Sequence, residues 1–330
     1  MKKVLALVLA VLMIVSMCAC SSVKKEATVE TIKIGLAFPM SGTAAMAGKY
    51  STHGADVLKE ELGGKITVGD KEYPVEFVTM DTEGSEEKTT NVYQKLIEEE
   101  KVIAIVGPDS SKCMLAAAPI AQNAKCPAIT TFGTNTAVTE VGNYIFRACF
   151  IDPFQGEKMA SYAVEKLGAK TAAVFFQTGS DYSEGLKDAF VAKAEELGLE
   201  IVDTEAFAEG DKDFKAQMTN IAAKAPDVVF APIYYAEAGL AISAARAVGC
   251  EATFLGGDGF GSVKDYASAE DLEGAVYCSG YAPGTESVAQ FEKDYCSTFN
   301  VDAVPNMFAP LAYDAAMIMT YGLQAAEDQG

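Results

Sequence analysis

Apolar residues along this chain follow two rhythms. Short continuous runs alternate with longer stretches in which apolar positions recur every three or four residues. The runs IKIGLAF (32–38), PVEFVTM (74–80), VIAIVG (102–107), PAITTF (127–132) and YIFRA (144–148) predict strands. The intervening periodicity predicts helices over 46–62, 86–100 and 112–124. The theme then repeats. A helix at 153–167 leads to the strand TAAVFF, a helix at 182–197 to EIVDTEAF, a helix at 214–224 to DVVFAPI, and a helix at 237–248 to TFLGGD. A short helix and the strand GAVYCSG follow. Strands alternating with helices of this length imply parallel sheets in α/β units, and the unbroken apolar character of the strands implies that helices cover both sheet faces.

The alternation breaks at RACFIDPFQ (147–155), where one set of α/β units ends and another begins, and again at 279–283. Two helices, 287–299 and 306–326, run from there with no strand between them. Either the last helix returns to the first unit or the chain is a fragment. With 330 residues, half of them hydrophobic, two such units are expected on length alone.

The first twenty residues, MKKVLALVLAVLMIVSMCAC, stand apart. Two lysines precede an apolar run too short and wrongly flanked for a membrane span, which predicts a secretory signal. It ends in Cys20, preceded by the small Ala19 and followed by the polar tether SSVKKE. That junction resembles the bacterial lipobox, in which the cysteine is acylated and becomes the mature N-terminus; several acyl chains on one residue would anchor stably. Residues 1–20 are thus expected to be a lipoprotein signal peptide, 21–30 a tether, and the address the outer face of the cell membrane.

Charge and residue counts narrow the chemistry. A formal charge of -20 argues against nucleic acid and anionic lipid surfaces as partners. The chain has a single histidine, His53, expected on the surface of the first helix; a histidine-based triad or a multi-histidine metal site is excluded by that count. Six cysteines lie beyond the leader with no paired spacing, and are expected as small buried residues, with a bridge or two left open. The segment GPDSSKCMLAAAPIAQ (107–122) is a strand-to-helix turn whose free N–H groups and helix dipole favour an anion: a phosphate, an intermediate on a serine, or a ligand carboxylate. No phosphate-loop signature and no G-x-S-x-G with a histidine base accompanies it, so the carboxylate is favoured. The serines could also serve only as helix caps.

IGLAFPMSG, GPDSS, TTFGTN and FRACFIDPFQG, followed in order by DYSEG, YYAEAG and GGDGFG, resemble the branched-chain amino-acid-binding proteins, the type I solute-binding proteins of ABC importers. The resemblance covers roughly residues 30–325. It implies an α/β fold of two Rossmann-like lobes with parallel sheets joined by hinge strands, lobe I from 31–148 and 281–330 and lobe II from 149–280. It implies a zwitterionic ligand in the cleft and no enzymatic activity or cofactor. Ser111 matches a serine that binds the ligand carboxylate, and Thr134 a threonine that holds carboxylate and ammonium. Phe132 supplies a backbone carbonyl and Asp258 a carboxylate to the ammonium. Tyr182, and Tyr235 or Tyr234, cover the ligand from the second lobe. Two departures reshape the side-chain pocket: Ala47 stands where the family often has an aromatic, and Phe132 where it has a small residue. Leucine, isoleucine or valine is the default ligand, delivered to a membrane permease. The alternative is a sensor of another amino acid or small amide that acts on a signalling partner.

Overall fold

The computed structural model describes residues 30–326. The leader, Cys20 and most of the tether fall outside the described residues.

A first sheet grows around β1 (Ile32–Phe38), whose last five residues are buried. Parallel neighbours flank it on both sides: β3 (Lys71–Asp81) and β4 (Ala104–Val106). β5 (Ala128–Thr130) and β6 (Ile145–Arg147) extend the sheet beyond β4, giving the order β2-β3-β1-β4-β5-β6. β2 (Lys65–Val68) is an antiparallel edge strand that the sequence pattern does not announce. Its charged and polar positions point out to solvent, and it turns into β3 through Gly69-Asp70, with Gly69 at φ 65°.

Helices α1 (Ala45–Leu62) and α10 (Phe308–Ala325) cover one face of this sheet; α2 (Glu86–Glu98) and α3 (Ser111–Ala124) cover the other. The short α4 (Ala137–Glu140) lies between β5 and β6, and α9 (Ala289–Phe299) packs on α1. The last helix therefore returns to the first sheet.

The second sheet repeats the design. Its order is β11-β10-β9-β7-β8, from β7 (Thr171–Gln177), β8 (Glu200–Phe207), β9 (Val228–Ala231), β10 (Thr253–Gly256) and β11 (Val276–Tyr277), all parallel. α5 (Asp152–Glu165) and α6 (Asp181–Leu197) pack on one face, α7 (Lys215–Lys224) and α8 (Tyr235–Ala247) on the other. Within the described residues the chain passes between lobes twice, between β6 and α5 and between β11 and α9. In each sheet the strand order reverses beside the lobe's first strand, β1 or β7, and open α/β sheets bind ligands outside the carboxyl ends of strands at such a reversal.

The six cysteines in the described residues are all free thiols; Cys113, Cys126 and Cys250 are buried, and Cys149, Cys278 and Cys296 are half-buried. No bridge forms among them. His53 is neither a surface residue nor a cleft residue. Its ring stacks on Phe299 at 3.9 Å and its Nδ1 lies 3.1 Å from the Tyr295 hydroxyl, so it cements α1 to α9. Burial holds its pKa below the ordinary imidazole value.

α1 and α10 are in close contact at Gly54, where an added Cβ would stand 2.0 Å from the Ala309 carbonyl oxygen. Gly54→Ala is expected to cost about 1–3 kcal/mol through overpacking and to lower the melting temperature by several degrees. Gly322→Ala, where nothing lies within 4 Å, should be neutral or mildly stabilising. Thermal melts of both variants check this, and equal effects would contradict the packing described.

Candidate functional site

The two reversal points face each other across a cavity of about 250 Å³. Pro39 after β1, Pro108 and Asp109 after β4, Gln177 at the end of β7 and Tyr234 after β9 all line it. Apolar surface comes from Ala47 on α1, Phe132 after β5 and Phe308 at the start of α10. Phe132 and Phe308 meet edge to face with ring centroids 4.8 Å apart. Both pocket departures read from the sequence, Ala47 and Phe132, thus stand in the wall. Phe308 went unnoticed because an aromatic at the start of an apolar helix reads as core.

Of the six expected site residues, Phe132, Tyr182, Tyr235 and Asp258 line the cavity. Ser111 and Thr134 do not; both are fully buried in the adjoining turns. The turn that presents Ser111 depends on Gly107. Its φ is 101° and an added Cβ would lie 2.2 Å from the Ala37 carbonyl, so only glycine fits. Tyr93, buried beneath, donates its hydroxyl to the Gly107 carbonyl. Ser110 is the N-cap of α3 and accepts from the Cys113 N–H at 3.3 Å. The capping role therefore falls to Ser110, while the Ser111 hydroxyl accepts from the Asn135 N–H at 3.2 Å. The first-turn N–H groups of α3 have no intrahelical partner, and the helix dipole adds positive potential there.

Asn135 also reaches across the lobes, donating its side-chain amide to the Asp181 carbonyl at 2.8 Å. A second tie runs from Lys112 to Glu209 at 2.9 Å, with Glu86 on the other side of the ammonium at 3.2 Å. Both pairs are well exposed and contribute little by themselves.

On the second lobe, Asp258 opens a single turn of 3-10 helix, Asp258–Phe260. Its N–H donates to the Gln155 side-chain oxygen at 2.8 Å, and the Gly259 N–H donates to the Tyr182 hydroxyl at 2.9 Å. Tyr182 is stacked on Tyr234, with centroids 4.9 Å apart. The Phe132 carbonyl accepts from the Thr134 N–H at 2.8 Å and keeps a second lone pair.

Asp152 is a residue the sequence reading passed over. It begins α5, directly after the chain enters the second lobe, and its N–H donates to the Thr134 carbonyl at 3.0 Å. An acid in the first turn of a helix is ordinary, which is why the pattern gave no signal. Its surroundings are not ordinary. Both carboxylate oxygens are buried without a hydrogen-bond partner, as are the Thr134 hydroxyl and Asp258 Oδ1. Burial pushes the Asp152 carboxyl up to about 8; the nearby Thr134 hydroxyl lowers it, the Asp258 charge raises it further, and Arg147 opposes. Burial also raises Asp258 to about 6, with Tyr182 and Gln155 pulling it back. Arg147 does not neutralise the pair. Its guanidinium is occupied by the carbonyls of Gly133 and Asn135, each at 2.8 Å, and of Thr136 at 3.1 Å. Among the described residues neither carboxylate has a salt bridge. What the site offers is a pair of buried acids short of positive charge, beside a helix N-terminus short of negative charge. No cluster of metal-ligating side chains exists among the described residues.

Known proteins share this arrangement of lobes. A family model for periplasmic binding proteins matches residues 31–330. An amino-acid-binding protein of Pseudomonas aeruginosa is 32% identical over 69% of this chain and 60% of its own length. The Leu/Ile/Val-binding protein BraC3 of Rhizobium johnstonii is 27% identical over 89% of this chain and 79% of its own. Among solved structures, a leucine-binding protein from Thermotoga maritima superposes with a TM-score of 0.83 at 34% identity, covering 90% of this chain and 83% of its own. A branched-chain amino-acid substrate-binding protein from Streptococcus pneumoniae, in complex with isoleucine, gives 0.82 at 32% identity, over 88% and 83%. Two α/β lobes around a cleft, built on parallel sheets that reverse at facing points, and a family match along the whole described chain lead to one conclusion: the protein belongs to the periplasmic binding protein family, in its type I architecture.

Proposed function

We propose that this chain is the lipid-anchored substrate-binding protein of an ABC importer and that it captures an α-amino acid between its lobes for delivery to a membrane permease. The observation that carries the reading is Asp258, which lines the cavity with its Oδ1 buried and unpartnered, together with Asp152, buried behind the wall with neither carboxylate oxygen hydrogen-bonded; burial raises the pKa of both. An ammonium is the group that would let both ionise. In this reading Asp258, Asp152 and the Phe132 carbonyl take the ligand's ammonium. The first-turn N–H groups of α3 take its carboxylate, with Ser111 and Thr134, buried behind the cavity surface, bracing the turns around it, and Tyr182 and Tyr235 close over it. The names of the relatives support an amino acid: several are named for leucine, isoleucine and valine, and one also for threonine and alanine.

Ligand contacts come from both lobes, so binding favours the closed arrangement by population shift. The hinge is placed at 148/149 and 280/281, with lobe I formed by 31–148 and 281–330 and lobe II by 149–280. The protein performs no bond chemistry in this account. Closure hands a changed surface to the permease. Cys20, through acylation, would keep the capture step within reach of the membrane. No helix among the described residues is long and apolar enough to do that by spanning it.

The reading is tested first by removing charge. Asp258→Ala is expected to weaken amino-acid binding far more than tenfold, since losing one partner of a buried pair costs about 3–5 kcal/mol. Circular dichroism should remain unchanged. Titration calorimetry across the twenty amino acids reads this out, and a change below tenfold would remove Asp258 from the ammonium site. A second test concerns the anchor. Cys20→Ser should move the protein from the membrane fraction to the soluble extracytoplasmic fraction, whereas continued membrane attachment would dismiss lipidation.

A further inference from the structure

The α-groups of the ligand and its side chain would be read by different walls, and the second wall carries its own polar pair. Asp109, in the β4–α3 turn, lines the cavity and is 8% exposed. Its Oδ1 accepts from the Thr131 hydroxyl at 2.6 Å and its Oδ2 from the Ser51 hydroxyl at 2.9 Å. A carboxylate offers about four acceptor sites, so each oxygen keeps one. No salt bridge reaches Asp109 among the described residues, and Lys112, its neighbour in the wall, is committed to Glu86 and Glu209.

Tyr235 stands on the other lobe. It is 4% exposed, lines the same cavity, and its hydroxyl is buried against the Ala47 backbone with no hydrogen-bond partner. The Asp109 charge is among those that hold the phenol in its neutral form, which places the two groups within electrostatic reach of one another. Phe132 and Phe308 supply apolar walls beside them, with Tyr235 and Phe308 centroids 6.0 Å apart.

This end of the cavity is therefore amphipathic: rings on the sides, with a carboxylate and an unsatisfied hydroxyl facing in. A purely aliphatic side chain would cover Asp109 with hydrocarbon and leave the Tyr235 proton without an acceptor, both unfavourable in a dry site. A cationic side chain would meet Asp109 but has no acceptor for the Tyr235 proton. A neutral group that gives one hydrogen bond and takes another satisfies both.

Resting on the amino-acid reading above, we propose that the ligand's side chain ends in a hydroxyl or a carboxamide, which donates to Asp109 and accepts from Tyr235. The cavity thus selects a polar, uncharged amino acid, although its relatives are named chiefly for branched-chain ones.

Near-isosteric pairs test this by calorimetry on the purified protein. Threonine against valine, and asparagine against leucine, differ mainly in hydrogen-bonding capacity. At least one polar member is expected to bind tenfold or more tighter than its aliphatic partner. Asp109→Leu should reverse that order. Tyr235→Phe, which retains the ring and leaves the Asp109 bracing intact, should narrow the preference several-fold, and it serves where Asp109→Leu fails to fold. Both valine and leucine binding within tenfold of their polar partners or tighter, or lysine or ornithine binding tightest, would overturn the side-chain assignment while leaving the amino-acid reading standing. Failure of every amino acid to bind would overturn both.

Discussion

Charge taken out of water must be paired, and in this protein two acids are buried with no salt bridge among the described residues. Burial raises the pKa of both Asp152 and Asp258, the Asp258 charge raises Asp152 further, and the one nearby guanidinium is already engaged by backbone carbonyls. An isolated buried carboxylate responds to such a site by holding its proton. In the reading proposed above, a ligand ammonium is the cation that would let both ionise. The same logic runs in the opposite sense at the N-terminus of α3, where the helix dipole and the first-turn N–H groups not capped by Ser110 favour an anion. A zwitterion satisfies both ends at once, and neither lobe alone supplies the whole set.

The fold positions these groups with little irregular backbone. Each sheet reverses its strand order once, and each reversal puts strand ends at the mouth of a crevice. Facing the two crevices brings Asp109 and Ser110 from one lobe opposite Tyr182, Tyr235 and Asp258 from the other. The segment that crosses into the second lobe contributes Asp152, buried behind the cavity wall. The Thr134 carbonyl accepts from the Asp152 N–H and so ties the end of the first lobe to the first helix of the second.

Much of the architecture was legible in the sequence because the physics behind it is local. β1 and β7 are buried on both faces and therefore read as unbroken apolar runs; the α6 and α8 helices carry periodic apolar faces between clear turn signals. The β2–β3 hairpin escaped because an edge strand with lysine and threonine facing solvent has no such run. His53 was misjudged because its burial comes from α9, more than two hundred residues away in sequence. At the site, Asp258, Tyr182 and Tyr235 were found through ordered motifs, and the structure brings them to one cavity. Asp152 and Asp109 were not, for opposite reasons. The first resembles an ordinary helix-start acid, and the second hides in a Gly-Ser turn whose serines drew attention. Burial without a partner gave Asp152 away, and burial within the cavity wall gave Asp109 away; burial is a property of the assembled fold and not of any sequence window.

Calorimetry in buffers of different ionisation enthalpy, using the tightest-binding amino acid at several pH values, tests the central claim most directly. A carboxyl held at about 8 in the empty site still carries its proton at neutral pH and must give it up when an ammonium arrives. Binding at pH 7 should release about one proton per ligand, with more as the pH falls toward 6 and Asp258 also holds its proton, and less as the pH rises past 8. Heats that do not depend on the buffer, or that report proton uptake, would mean that the two acids are not waiting for the ligand's charge.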